Sequence, residues 1–265
     1  MKYGFIGCGN MGGAIARAVC KAEKPAEVLL SNRSPEKALA LAGELGCQTG
    51  TNADAANCAF IFLGVKPQMM RQALEPLQSQ LAARNDEFVL VTMAAGLSMA
   101  AIRELAGGDY PVIRIMPNTP AAIGAGMIQY CCDGISSEAE AAFLHAMNAC
   151  GRLDKLDESL IDAASSVSGC GPAWACMFLE ALADGGVICG LPRQKAMEYA
   201  AQMLLGTAQL VLESGKHPGL LKDKVCSPAG STIQGVRTLE AAAFRGAVTD
   251  AVIAAYERTK QLGRK

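Results

Sequence analysis

The sequence predicts an α/β domain, built on a doubly wound parallel sheet, followed by an all-helical C-terminal domain. Short apolar runs alternate with amphipathic segments through the first 156 residues, and the strand pattern stops beyond Asp157. A glycine-rich turn also joins the first apolar run to the first helical segment. Alternation of this kind, with strands apolar along nearly their whole length, indicates a parallel sheet covered on both faces. The expected boundary divides 1–156 from 157–265.

In chain order, 3–6, 28–30, 60–65, 88–93 and 112–116 are short continuous apolar runs and read as buried strands. Between them 11–21, 35–45, 67–81 and 98–105 repeat apolar residues at helical spacing. A further strand over 124–132, a helix over 136–150 and a strand over 152–156 extend the unit. Beyond them 157–167, 173–189, 192–213 and 230–261 all read as helices, with Gly190 and Pro192 punctuating the second and third. Trp174, Met177, Phe178, Ala181, Leu182 and Cys189 leave the second of these helices little polar face. Helices without a wet side must be buried, and four of them cannot bury one another, so this half is expected to dimerise.

Composition narrows the function. Net charge is −1, basic residues are scattered, and no basic and aromatic residues interleave, which argues against nucleic acid or an anionic membrane as partner. A hydrophobic content of 51% with only 18% charged residues again suggests surface buried in an oligomer. Eleven cysteines show no Cys-x-x-Cys pair, and the two histidines, His145 and His217, are far apart, so no metal site is expected. Cys58, Cys176 and Cys189 lie in apolar runs and read as small buried hydrophobes of a reduced, cytoplasmic protein. The opening Met-Lys-Tyr-Gly-Phe-Ile lacks the pattern of a signal peptide, and the longest uncharged run, 163–179, is too short and polar to span a membrane.

Gly7-x-Gly9-x-x-Gly12 lies between the first strand and the first helix. In a Rossmann-like fold these glycines permit a tight turn, close approach of a pyrophosphate and close helix–strand packing. After the second strand stands Ser31-Asn32-Arg33-Ser34, where an NAD site usually carries a carboxylate for the ribose 2′-hydroxyl. Hydroxyl, amide and guanidinium donors there suit a 2′-phosphate, so NADP(H) is favoured with NAD(H) possible, the alternative being that Arg33 is a solvated loop charge. Val65-Lys66-Pro67 ends the next strand and Ala95-Gly96 follows the one after, small enough for a nicotinamide ring to lie close. Lys66 could also be a plain surface lysine. The expected cofactor set is Ile6, Gly7, Cys8, Gly9, Asn10, Met11, Gly12, Asn32, Arg33, Ser34, Asn52, Val65, Lys66, Pro67, Ala95 and Gly96.

A second site is suggested by Ser227-Pro-Ala-Gly-Ser-Thr-Ile-Gln-Gly235, where Ser227, Ser231 and Thr232 crowd hydroxyls around Pro228 and Gly230 before a helix. Free N–H groups and hydroxyls at a helix start suit an anion, and the same run would also serve as an ordinary cap. His217, in Gly215-Lys-His-Pro-Gly219, reads as a capping or packing residue, Lys222–Asp223 as a surface pair or a loop brace, and Trp174 and Phe178 as core.

With the glycine loop, Val65-Lys66-Pro67, Arg114-Ile-Met-Pro-Asn-Thr-Pro120, Val167-Ser-Gly-Cys-Gly-Pro-Ala173 and the 227–235 segment, the chain resembles the pyrroline-5-carboxylate reductase family over essentially its full length. Ala229 stands where the family usually has glycine, and Cys170 where it commonly has serine. The resemblance implies NAD(P)H-dependent hydride transfer to a cyclic imine, giving L-proline. It implies an interlocked homodimer, with larger rings of dimers in some members, and a 227–232 loop from one subunit meeting the nicotinamide of the other. Ser227, Gly230, Ser231 and Thr232 would bind the substrate carboxylate, and the Thr232 hydroxyl would contact the ring nitrogen as the catalytic group. An iminium accepts hydride readily, so the scarcity of histidine fits. A related imine reductase or hydroxyacid dehydrogenase would instead need a lysine or aspartate on the 173–189 helix. That segment has no lysine, and its acids, Glu180 and Asp184, fall late. An NADP-sensing binding protein would not need the 227–232 hydroxyls.

Overall fold

The computed structural model describes residues 1–262. Strand β1 (Tyr3–Ile6) leads into helix α1 (Asn10–Ala22), and β2 (Val28–Ser31) into α2 (Pro35–Leu45). A two-residue β3 (Gln48–Thr49) and short α3 (Asn52–Ala55) precede β4 (Phe60–Leu63). The expected helix over 67–81 is instead a 3-10 turn (Pro67–Met69) leading into α4 (Met70–Leu74), then a second 3-10 turn (Glu75–Leu77) and α5 (Gln78–Ala82). Pro76 lies at their junction, where it has no N–H for a helical ladder. Then follow β5 (Val89–Thr92), α6 (Met99–Ala106), β6 (Val112–Met116), β7 (Gly126–Asp133), α7 (Ser137–Met147), β8 (Gly151–Lys155) and α8 (Glu158–Ser168).

The strands form one sheet in the order β3-β2-β1-β4-β5-β6-β7-β8. The expectation of a wholly parallel sheet needs one correction: β7 runs antiparallel to β6. A short connection through one 3-10 turn (Thr119–Ile123) links them, too little chain for a parallel crossover. Side chains alternate between two cores. Tyr3, Phe5, Phe60 and Phe62 face α1, α2 and α7, whereas Ile6, Ile61, Leu63 and Leu90 face α4, α5, α6 and α8. Phe5 stacks on Phe62 at 4.5 Å between ring centres. Ligand-binding loops of such a sheet gather at the strands' carboxyl ends, the edge where β1, β2 and β4 deliver the glycine turn, Asn32 and Lys66.

The helical part comprises α9 (Gly171–Ile188), α10 (Arg193–Ser214), α11 (Pro218–Val225), α12 (Ser231–Ala241) and α13 (Phe244–Leu262). The single helix expected over 230–261 is broken, with Ala243 at φ 54° between the two pieces. Helix α11 was not expected; Pro218 opens it and His217 caps it, Nδ1 accepting from Gly219 N–H at 3.1 Å. The chain divides into two compact units: Met1–Cys170 with the end of α13 from Ala255, and Gly171–Ala254. The contacts part the two units at 170/171, whereas the sequence pattern changes at 156/157. Helix α8 belongs with the sheet because Ile161 is fully buried in its core.

Within the second unit α9 and α10 pack together and Phe178 meets Phe244 at 5.9 Å, but Ala183, Ala196 and Ala200 are its buried apolar residues. Met177, Ile188 and Leu212 are 68%, 86% and 73% exposed. Cys58 is buried as expected, whereas Cys176 and Cys189 are exposed in the single chain. Among the described residues no segment of their own chain covers Cys176 or Cys189. Trp174 and Phe178 are half-buried.

One polar cluster ties α8 to the sheet. Arg114 on β6, its side chain 3% exposed, pairs with Asp162 and with Glu158, the latter at 3.5 Å. Glu158 also accepts from the N–H of Met99 at the start of α6 (2.7 Å). Asn118 donates to the Ser168 carbonyl and accepts from Met127 N–H, and the Ser168 hydroxyl donates to Gln129. Removing one partner from a buried charge leaves that charge uncompensated. Asp162→Ala should therefore lower unfolding stability by about 3 kcal/mol. Arg114→Met should cost less, since both carboxylates are partly open to water. Urea unfolding of the two variants checks the order, and a neutral Asp162→Ala would remove the ion pair from the account.

Candidate functional site

Three backbones meet at the end of β1. Gly7 has φ 99°, in the left-handed region glycine tolerates. A Cβ on Gly12 would lie 2.2 Å from the Gly7 carbonyl oxygen, and one on Gly64 would lie 2.3 Å from it. Gly9 is the reverse case, with nothing within 4 Å of an added Cβ. It is the N-cap of α1 and offers no side-chain cap. The N–H groups of Asn10 and Met11 carry no hydrogen bond among the described residues, so they can serve a ligand's phosphate. Cys8 takes a different part: its N–H donates to Asn32 Oδ1 (3.0 Å) and its thiol to the Ser31 carbonyl (3.5 Å). Burial pushes that thiol up to about 12, which makes it a poor nucleophile.

Beside this turn lies a groove of about 970 Å³. Of the expected cofactor residues, Ile6, Gly7, Gly9, Asn32, Arg33, Ser34, Asn52, Val65 and Lys66 line it. Cys8, Asn10, Met11, Gly12, Pro67, Ala95 and Gly96 do not. Gly12 acts by packing, and Pro67 opens the 3-10 turn that Lys66 precedes. Ala95 and Gly96 form a separate tight turn after β5, Gly96 at φ 77° and Leu97 N–H donating to the Ala94 carbonyl. Lys37, Thr49, Gly64, Gln68, Met69 and Gln72 line the groove as well, outside the motifs of the sequence. The available signals were the i, i+4 spacing of Gln68 and Gln72 and the place of Lys37 in the first turn of α2.

The charge of the groove is one-sided. Arg33, Lys37 and Lys66 line it and no carboxylate does, and none of the three forms an ion pair among the described residues. Ser34 is the N-cap of α2 but makes no side-chain cap bond, which leaves its hydroxyl free. The Ser31 hydroxyl donates to Asn52 Oδ1 at 2.7 Å, which engages the amide oxygen and leaves the Asn52 amide N–H groups as donors.

The hydroxyl-rich segment of the second unit is a turn followed by a helix start. Gly230 N–H donates to the Ser227 carbonyl (3.1 Å), with Pro228 second and Ala229, at φ 56°, third. A type II turn wants proline and then a left-handed residue in those places, normally glycine. Alanine there carries strain of roughly 1–2 kcal/mol. A Cβ at Gly230 would lie 2.4 Å from Ser227 Oγ, so any other residue there requires that hydroxyl to turn away from the loop. As N-cap of α12 it supplies no capping side chain, so the first N–H groups of that helix are not closed off by their own chain. An ordinary capping run would have closed them. Ser227, Ser231 and Thr232 therefore surround an open helix start, although Thr232 itself is fully on the surface of the single chain.

Comparison with known proteins places the whole chain in one family. A model described as "NADP oxidoreductase coenzyme F420-dependent" matches residues 2–96. A model of "Pyrroline-5-carboxylate reductase dimerisation" matches residues 158–262. The chain is 39% identical to the pyrroline-5-carboxylate reductase of Escherichia coli K12 over 99% of its own length and 98% of that protein's. It belongs to the pyrroline-5-carboxylate reductase family. The Arabidopsis thaliana enzyme of that name is likewise 39% identical, over 99% of this chain and 96% of that protein. Among solved structures, the Plasmodium falciparum pyrroline carboxylate reductase with NADP bound superposes at a TM-score of 0.89 and 30% identity. That match covers 99% of this chain and 98% of the other. The dimerisation match begins at 158, so by family the helical part includes α8 even though α8 packs on the sheet.

The glycine geometry separates two effects that a reductase of this family combines. Gly9→Ala places a methyl in open space and should leave thermal stability unchanged while weakening dinucleotide binding at least about tenfold, by crowding the phosphate approach. Gly12→Ala drives a methyl into the Gly7 carbonyl and should lower the melting temperature as well. Thermal unfolding alongside fluorescence titration with NADPH tests both, and equal loss of stability in the two variants would contradict the assignment.

Proposed function

We propose that this protein reduces pyrroline-5-carboxylate to L-proline with NADPH, acting as a homodimer. The observation that carries this reading is the pairing, in one chain, of a groove lined by Arg33, Lys37 and Lys66 without a carboxylate and an uncapped, hydroxyl-rich helix start at 227–232. The groove suits a polyanionic dinucleotide, and the helix start suits a small carboxylate. Free Asn10 and Met11 N–H groups take the pyrophosphate, and Arg33, Ser34 and Lys37 meet the 2′-phosphate. Asn52 and Lys66 serve the adenosine side, with NADH left as a weaker alternative. Ala95 and Gly96 form the small-residue turn against which the nicotinamide lies.

The bound nicotinamide supplies the hydride. The residues supply position. The N–H groups of Ser231 and Thr232, with the hydroxyls of Ser227 and Ser231, hold the substrate carboxylate, and Gly230 lets it approach the backbone. The Thr232 hydroxyl contacts the ring nitrogen, accepting from the iminium N–H and donating to the lone pair that forms there as the adjacent carbon takes hydride. No strong general acid is needed for an iminium. His217 is already committed to capping α11. A hydroxyacid dehydrogenase is less well supported, because Asp184, a candidate acid on α9, is paired with Arg193. Lys222 and Asp223 pair with each other on the surface at 3.1 Å, away from any such role.

The second unit is the dimer interface in this reading, and its exposed Met177, Ile188 and Leu212 are the surface a partner covers. Rings of dimers remain an outcome for solution measurement. A cytoplasmic location suits eleven free cysteines, and no helix among the described residues is long and apolar enough to cross a membrane.

NADPH oxidation that depends on added pyrroline-5-carboxylate tests the activity directly, and its absence would refute the reading. Thr232→Val keeps the shape and removes the donor. Turnover should fall about ten- to a hundredfold, or ~1.4–2.7 kcal/mol, with NADPH affinity unchanged. Steady-state kinetics should show the same or a greater loss in the double variant Ser231→Ala with Thr232→Val, and parental turnover there would make the loop a helix cap only. For the interface, Leu182→Asp should give monomer or aggregate in light scattering, and a folded, fully active monomer would disprove that role for α9.

A further inference from the structure

Asn32 follows β2, in the place where a residue is ordinarily assigned to the ribose or its phosphate. Its side chain is engaged at both ends. Oδ1 accepts from Cys8 N–H at 3.0 Å, and Nδ2 donates to the Ser34 carbonyl at 3.0 Å. A backbone N–H can only donate and a carbonyl can only accept, so these two partners fix the amide's orientation. The segments joined are the two anion-binding stretches of the groove, the glycine turn and the Arg33–Ser34 loop. Gly7 N–H bonds to the Ser31 carbonyl (2.8 Å) just below, but nothing else among the described hydrogen bonds links Cys8 and Ser34.

Resting on the reading of the groove as an NADP site, we propose that Asn32 is a positioning residue. It locks the glycine turn to the Arg33–Ser34 loop and sets the spacing of the pyrophosphate and 2′-phosphate sites, without itself selecting NADPH over NADH. By consuming the Cys8 N–H it also takes that amide out of the set left for the pyrophosphate, which includes those of Gly9, Asn10 and Met11. Selection falls to Arg33, Ser34 and Lys37, which line the groove and are not tied down by one another.

The consequence is a particular pattern of affinities. The pyrophosphate is common to both cofactors and the 2′-phosphate is not. Asn32→Ala should raise the dissociation constants of NADPH and NADH by the same factor, about tenfold for two lost hydrogen bonds. Arg33→Ala should weaken NADPH at least about tenfold and spare NADH. Fluorescence titration of the full-length dimer with each cofactor reads both. A loss confined to NADPH in Asn32→Ala would make Asn32 a direct phosphate donor and overturn the proposal, as would no loss with either cofactor. Equal weakening of both cofactors in Arg33→Ala would overturn the NADP reading of the groove itself. Amide hydrogen exchange on the cofactor-free parent gives a measurement that needs no variant. The Cys8 N–H should be protected there, and free exchange would refute the bond to Asn32. In Arg33→Ala that protection should persist.

Discussion

The carbonyl of Gly7 faces the Cα atoms of Gly12 and Gly64 so closely that a methyl group on either would come within 2.2 or 2.3 Å of it. That approach fixes where α1 begins relative to the ends of β1 and β4. Everything in the groove is placed from this point. The start of α1 presents its free N–H groups at the sheet edge, β4 delivers Lys66 across from it, and β2 brings Asn32 and Arg33 to the third side. Gly4 continues the same constraint one turn of the pleat earlier, where a side chain would strike the carbonyl of Ala55 in α3 at 2.4 Å. Close backbone packing in β1 therefore sets the floor of the groove.

A different kind of tie holds the opposite half of the sheet. Arg114 is buried with its charge met by two carboxylates of α8, and its Nε is without a partner. Such an arrangement yields little net stability compared with apolar packing, because both ions are taken partly out of water. Its effect is geometric. Glu158 holds α8 to β6 and at the same time accepts from the first N–H of α6, which follows the Ala95–Gly96 turn. Asn118, Ser168 and Gln129 continue the seam along β7. The last helix before the second unit is thereby set by polar contacts with defined directions as well as by Ile161 in the core.

The second unit shows the opposite balance. Its helices expose much of their apolar surface, with buried positions that are alanines. A unit of this kind gains little from burying its own side chains, so its folding and its association with a second copy draw on the same surface. The family match to a dimerisation domain over 158–262 accounts for that composition. The excess of hydrophobic residues over charge in the whole chain reflects an interface.

Much of this was legible in residue patterns because the causes are local. Continuous apolar runs make buried strands, a glycine triplet between strand and helix makes a phosphate turn, and an absent carboxylate after β2 leaves a groove for a more negative ligand. Pro76 and Ala243 were harder, since each interrupts a helical pattern that the side-chain period alone would continue. The antiparallel β7 was hidden as well, because direction depends on how much chain separates two strands and not on their composition. Other features had no sequence signal at all. The engagement of Asn32 with Cys8 and the pairing of Arg114 with α8 join residues distant in the chain. The sequence by itself determined the fold class, the glycine turn, the hydroxyl-rich helix start and the need for a partner, all consequences of local conformation and apolar content. Tertiary structure alone decided which donors stay free for a ligand and which are consumed holding the groove in shape. A hydrogen bond depends on distance and direction between segments, and neither is written in the order of residues along one of them.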